Sequence, residues 1–261
     1  MSPEKNSGRP SPGKRAPSPL SGRAREVADE LHSRSRRQVF NSVVPVLRES
    51  LRARIKDHTW DPTQTESGKA VLADKFVALD PEKAALCHLL CRTNGAQRVV
   101  EIGTSYGVST IYLGDAVKKN LESGSGEGHG TVIGTEHESG KVAAARDNVT
   151  SAGVGDVVEI LDGDLRETLP ERLESLVEQA GTEQPVDFVL MDIWIPMALP
   201  ALEILTPYLR SGALVVCDQV VSASKDYADY LSVVRADPDD GGQFTSVTVP
   251  GQGGTEISMK L

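Results

Sequence analysis

Residues 99–110 read VVEIGTSYGVST. Val99 to Ile102 has the β-branched character of a strand. The strand breaks on Gly103, a second glycine follows at Gly107, and a helical pattern begins there. Gly103 lets the chain turn sharply, and Gly107 lets the backbone approach a ligand. In a wound α/β sheet a ligand sits beyond the carboxyl ends of the strands, where the strand order reverses. By themselves, the two glycines also fit an ordinary turn.

The chain on either side supplies such a sheet. Strands are expected at 98–102, 131–136, 157–161, 186–191 and 214–217, with helical stretches near 106–121, 138–152, 165–180 and 197–209. The runs VVEI, DFVLM and ALVVC are continuously apolar, as in strands covered by helices on both faces. Phe244 to Val249 and Glu256 to Leu261 flank PGQGGT, a turn-rich link, and predict a closing hairpin. Asp80-Pro81-Glu82 reads as a helix start: Asp as N-cap, proline in the first turn, acid behind it. That helix carries Ala84, Ala85, Leu86, Leu89 and Leu90 and stops near Asn94-Gly95.

The spacing around the first strand narrows the ligand. A dinucleotide fold uses G-x-G-x-x-G to seat a pyrophosphate on a helix N-terminus. Here the pattern is G-x-x-x-G, and Glu101 precedes the first glycine by two positions. An acid there repels pyrophosphate and attracts an ammonium. Glu136, at the tip of the second strand, is placed to take two ribose hydroxyls. Asp164, after the third strand, is placed to accept from an adenine amino group. Ammonium, ribose and adenine together describe S-adenosylmethionine.

With those pieces in order, the chain from about residue 75 to 261 resembles the class I S-adenosylmethionine-dependent methyltransferases. Within them it is most similar to small-molecule O-methyltransferases of the catechol and caffeoyl-CoA type. The stretches that carry the resemblance are VVEIGTSYGVST, GTEHE, AGVGDVVEILDGDLRETLP, FVLMDIW and LRSGALVVCDQV. The resemblance implies a Rossmann-like fold, a mostly parallel seven-stranded sheet with helices on both faces and a C-terminal antiparallel hairpin. It also implies that Glu101, Gly103, Ser105, Tyr106, Gly107 and Ser109 shape the methionine end. Glu136 and His137 would border ribose and adenine, and Asp164 and Leu165 the adenine edge. Leu79 and Lys83 would close over the methionine from the preceding helix, and Asp192 would border the cofactor.

Metal-dependent members hold Mg²⁺ with oxygen ligands, which here correspond to Asp192, Asp218 and Gln219. The family's third ligand is Asn, so Gln219 is a departure. A larger one follows Asp192. The family runs Asp-x-Trp-Lys, with lysine as general base, whereas this chain has Asp192-Ile193-Trp194-Ile195. Trp194 is kept beside Asp192 in the catalytic segment, but Ile195 cannot take a proton. His58, Tyr106, Lys225 and Asp226 are the candidate replacements. The expected activity is methyl transfer to a hydroxyl of a small acceptor, aromatic or from secondary metabolism, with or without a divalent metal. Metal-independent transfer to O, N or S, and a non-catalytic cofactor-binding module, stay open. A hydride-transferring dehydrogenase is opposed by Glu101 and the glycine spacing.

The totals bound these readings. The 261 residues carry a net charge of −9, with 39% hydrophobic and 25% charged residues. The first 25 residues hold six basic residues against one acid, about +5, which leaves the rest near −14. So acidic a body repels phosphate backbones, so no nucleic-acid partner is expected. No apolar run reaches the roughly 20 residues of a membrane helix, so no membrane partner is expected. Cys87, Cys91 and Cys217 are too few and too scattered for a disulfide framework and predict buried thiols in the reducing cytoplasm. The expected organisation is a disordered basic Pro/Ser-rich tail over 1–24, a helical cap over 25–74 and the methyltransferase domain over 75–261. The cap's apolar stripe could serve a homodimer or pack on its own domain.

Overall fold

The computed structural model describes residues 17–37, 78–124 and 129–261. Most of the expected tail, His58 and most of the expected cap lie outside the described residues. The sheet has seven strands: β1 (Arg98–Ile102), β2 (Thr131–Glu136), β3 (Val158–Asp162), β4 (Val186–Met191), β5 (Leu209–Asp218), β6 (Phe244–Val249) and β7 (Thr255–Lys260). Their order is β3-β2-β1-β4-β5-β7-β6, parallel from β3 to β5 and antiparallel in β7 and β6. The order reverses between β1 and β4, so the cleft lies at the carboxyl end of β1. This is the expected Rossmann-like sheet with its terminal hairpin. β5 begins earlier than the sequence suggests, at Leu209, with a register irregularity against β4 between Val186 and Phe188.

Helices α1 (22–37), α2 (Pro81–Thr93), α3 (Val108–Ser123) and α4 (Ser139–Ser151) contribute to the core on one face of the sheet. Helices α5 (Leu165–Ala180), α6 (Ala198–Leu205) and α7 (Ala228–Val234) cover the other. Alternation along the strands divides the two cores. Val99, Phe188, Leu190 and Val216 join the first, while Val100, Ile102, Val189, Met191, Val215 and Cys217 join the second. All six residues of β4 are buried. Each large aliphatic or aromatic side chain among them contributes about 1.5–3 kcal/mol by leaving water.

Of the first two helices, one follows its sequence pattern and the other departs from it. In α1, Ala24, Val27, Ala28 and Leu31 pack into the domain's own core, and His32 meets Tyr112 edge-on, with ring centroids 6.0 Å apart. The described part of the cap therefore packs on its own domain. In α2 the buried residues are Lys83, Ala84, Cys87, His88 and Cys91, while Leu89 is 53% exposed. The small and polar side chains, not the leucines, face α3. The Nε2 of His88 meets Asp115, 2.8 Å away, while its Nδ1 is buried without a partner. The helix itself starts and stops as expected, with Asp80 accepting from the Glu82 N–H and Asn94 at its end. All three cysteines are free and buried.

Gly103 fixes the crossing between β1 and β4. Its φ is +93°, and a Cβ there would lie 2.1 Å from the Asp192 carbonyl oxygen. The next chain segment closes on it through the Asp192 N–H, which donates to the Ile102 carbonyl at 2.9 Å. Both partners of the clash are backbone and cannot yield. Gly103→Ala is expected to lower stability by about 3 kcal/mol or more. Urea denaturation checks this, and a loss under about 1 kcal/mol would show that the close approach is dispensable.

Candidate active site

The site follows from strand parity. Along β1, Val99 and Glu101 share a face. Phe188 and Leu190 put Asp192 on the same face, just past β4, and Val216 puts Asp218 there, at the end of β5. Register aligns Ile102 with Met191 and Met191 with Cys217, so Asp192 and Asp218 stand side by side and Glu101 lies one step deeper. Three neighbouring strands thus aim three carboxylates at the α2–α3 side of the cleft.

Glu101 is fully buried. One carboxylate oxygen accepts from the hydroxyls of Thr104, at 2.9 Å, and Thr110. The other oxygen is buried without a hydrogen-bond partner. Burial pushes the Glu101 carboxyl up, against the hydroxyls of Ser109, Thr110 and Thr104 that hold it down, and the Glu136 charge adds to the rise. The Thr104 N–H donates to the Thr135 carbonyl, and the Gly107 N–H to the Thr104 carbonyl, which folds the loop into a tight crook. Ser105 sits at φ +50° and Gly107 at +80°, where α3 begins. Glu136 accepts from the backbone N–H groups of Ser105 and Glu138, each at 2.9 Å, and so joins the loop to the tip of β2.

The remaining expected residues are spread around this crook. Ser109 and Leu79 are buried, Tyr106 is half-buried, and His137 is exposed. Tyr106 offers its backbone carbonyl to Asn148. Leu165 belongs to the opposite core. Asp164 caps α5 through the Arg166 N–H and pairs with the Arg166 side chain, which holds its carboxyl down to about 2. Trp194 is 44% exposed, and Ile195 packs against the second core. Lys225 and Asp226 are exposed in the turn before α7. A cleft of about 730 Å³ along the β3 edge shares no residue with the crook or the three acids.

Lys83, expected over the methionine end, has its ammonium paired with Asp218. It also donates to the Gln252 carbonyl at 2.7 Å, and the Thr255 hydroxyl donates to Asp218 at 3.2 Å. Three elements meet there: α2, the end of β5 and the hairpin loop. That loop is held down by Val221 and Ser222, whose N–H groups donate to the Gly253 carbonyl. A Cβ on Gly253 would lie 2.1 Å from the Gln219 side-chain oxygen, which accepts from the Ser222 hydroxyl at 2.8 Å.

These residues do not fit a divalent ion as they stand. Asp218 carries an ammonium, the Gln219 oxygen is turned to Ser222, and no group of three His, Cys, Asp or Glu side chains among the described residues could hold a metal. A divalent ion on Asp218 would also be repelled by the Lys83 ammonium already paired there. The sequence showed the candidate ligands but not the lysine that competes with the ion. Its signal was available in the parity of three acids, which calls for a cation.

Comparison with known proteins came to the same fold. Residues 100–220 match the family model of a methyltransferase domain. A catechol O-methyltransferase of Mycobacterium tuberculosis is 30% identical over 61% of this chain and 66% of its own length. One from Niastella koreensis is 28% identical over 57% of this chain and 61% of its own. The chain thus spans less than two thirds of these curated relatives. The crystal structure of an O-methyltransferase from Bacillus cereus in complex with SAH superimposes with a TM-score of 0.58, at 18% identity, over 88% of this chain and 100% of the other. The resemblance to class I methyltransferases of the catechol type is borne out by these matches.

Asp192 lies between Asp218 and Glu101. Burial first, then those two charges, raise its carboxyl to about 7, against the pull of Lys83. A carboxyl raised on folding contributes stability that is full below its unfolded value near 4 and is lost as pH rises through about 7. Asp192→Asn is expected to remove that loss and to gain about 2 kcal/mol over the wild type at pH about 8 relative to pH about 4. Denaturation at both pH values checks it, and parallel curves would contradict the assignment.

Proposed function

We propose that the crook between β1 and α3 binds S-adenosylmethionine and that the chain transfers its methyl group to a hydroxyl of a small, aromatic or secondary-metabolite acceptor. The observation that carries this reading is the Glu101 oxygen, buried and unpartnered below the glycine loop. A buried carboxylate oxygen left unpaired is costly, and a ligand ammonium is the partner of matching charge. Glu136 stands one strand away, at the distance of a neighbouring strand tip, where ribose hydroxyls would be received. The relatives named as O-methyltransferases support the reaction type.

When bound, the sulfonium supplies an electrophilic methyl carbon. The protein's part is to bind, orient and exclude water. Glu101 draws the ammonium, and the hydroxyls of Thr104 and Thr110 keep its carboxylate aimed. Gly103 and Gly107 let the loop take its tight shape, one against the Asp192 carbonyl and the other against Ala145. Positioning of donor and acceptor carries most of the rate in such a transfer. The half-exposed Trp194 offers an aromatic surface at the cleft for the acceptor. This reading places the protein in the cytoplasm, where its three thiols stay reduced. No helix among the described residues is long and apolar enough to cross a membrane. A homodimer through the N-terminal region remains part of the proposal.

Titration calorimetry with S-adenosylmethionine tests it. Binding in the micromolar range is expected, weakened about tenfold or more by Glu136→Ala and by Glu101→Gln. Multiple turnovers with a phenol panel would then end the non-catalytic alternative. Absence of binding to the folded wild type would refute the proposal.

A further inference from the structure

The buried face of α2 presents a residue that the proposed reaction has not yet used. Lys83 is the only lysine or arginine among the buried described residues, with a side chain 10% exposed. It faces the place where Asp192 and Asp218 converge at the strand ends. It is held from two sides, by Asp218 and by the Gln252 carbonyl at 2.7 Å. A lysine buried on a helix face shared with Ala84, Cys87, His88 and Cys91 needs compensation of this kind.

We propose that the Lys83 ammonium is the resident cation of this cleft, in place of a divalent metal, and that the acceptor is a single ionised hydroxyl rather than a chelating vicinal pair. The second clause rests on the methyltransfer reading above; the first does not. An ammonium has three N–H donors. Asp218 and the Gln252 carbonyl take two, which leaves one for one acceptor oxygen. A metal ion, by contrast, offers adjacent coordination positions to two oxygens at once.

The chemistry balances without a further group. The acceptor, a phenol acidic enough to lose its proton to water, enters as the oxyanion. An oxygen lone pair forms the O–C bond, the C–S bond breaks, and its electrons pass to sulfur. The negative oxygen and the positive sulfonium both become neutral, and Lys83 takes no part in the bond exchange. The Ile195 position, where the family has a lysine base, then has no proton to accept.

The test is Mn²⁺ binding, read by electron paramagnetic resonance on the wild type and on Lys83→Gln, with melting temperatures taken alongside. The wild type is expected to leave the free-ion signal unchanged at millimolar Mn²⁺ and to melt at the same temperature with Mn²⁺ or chelator. Lys83→Gln removes the charge and keeps both aspartates, so it is expected to bind Mn²⁺ about tenfold or more tightly than the wild type. Submillimolar binding by the wild type, or a melting temperature raised by Mn²⁺ and returned to normal by Asp218→Asn, would overturn the proposal. A folded Lys83→Gln that binds no Mn²⁺ would overturn it too. Should Lys83→Gln fail to fold, the wild-type signal and melting decide. None of these readings involves S-adenosylmethionine, so they separate this proposal from the methyltransfer reading. With an acceptor in hand, monohydric phenols should turn over at rates unaffected by chelator, and a requirement for vicinal diols would refute the second clause.

Discussion

Glu101, Asp192 and Asp218 stand on one face of three adjacent strand ends, and like charges so close must be compensated or protonated. Much of the site's architecture answers that constraint. Lys83 comes down from α2 onto Asp218, and the hairpin loop offers the Gln252 carbonyl to the same ammonium. Glu101 receives hydroxyls from both sides of the glycine turn. Asp192 has neither, and burial together with the charges of Asp218 and Glu101 raises its carboxyl to about 7.

The compensation is uneven, and the unevenness gives the cleft its polarity. At the β5 end, charge is met by an internal ammonium tied to three elements, so that corner is filled by the chain itself. At the β1 end, one oxygen of Glu101 is left buried and unpaired. A fold that settles one acid and leaves another open has a place for a cationic ligand at the second. The two glycines serve that place in different ways: Gly103 admits the neighbouring Asp192 carbonyl, and Gly107 begins α3 in a left-handed conformation against Ala145.

Away from the cleft, buried charges are used to fasten elements. Asp187, at the opposite end of β4, accepts from the Gln97 and Arg98 N–H groups and from Arg210 at 2.6 Å, and so ties the start of β1 to β4 and β5. Glu256, fully buried on β7, is gripped by Arg235, Ser246 and Thr248. Burial pushes its carboxyl up, but the bonds from Arg235, Thr248 and Ser246 with the Arg235 charge together outweigh it and hold the group below its usual range. These pairs differ from Lys83–Asp218 in lying away from the strand ends where a ligand enters.

The places of the strands along the chain, the glycine turn, the hairpin and the start of α2 were legible in the sequence, because apolar continuity, glycine at a strand end and Asp-Pro-Glu each act over a few residues. Glu101, Glu136, Asp192 and Asp218 were legible as acids at strand tips for the same reason. The face that α2 buries was not. Its leucines suggested one stripe, yet close packing against α3 selects the side with Ala84, Cys87 and Cys91 and carries Lys83 and His88 inward with it. Nor could the sequence show that Gln219 turns to Ser222, or that Gln252 comes back from the hairpin to reach Lys83. The second of these contacts joins residues 169 positions apart. Local pattern determines which elements form and which residue types stand at their ends. Which charges meet is decided only when the sheet brings its strand ends together, because electrostatic compensation depends on distance in space rather than along the chain.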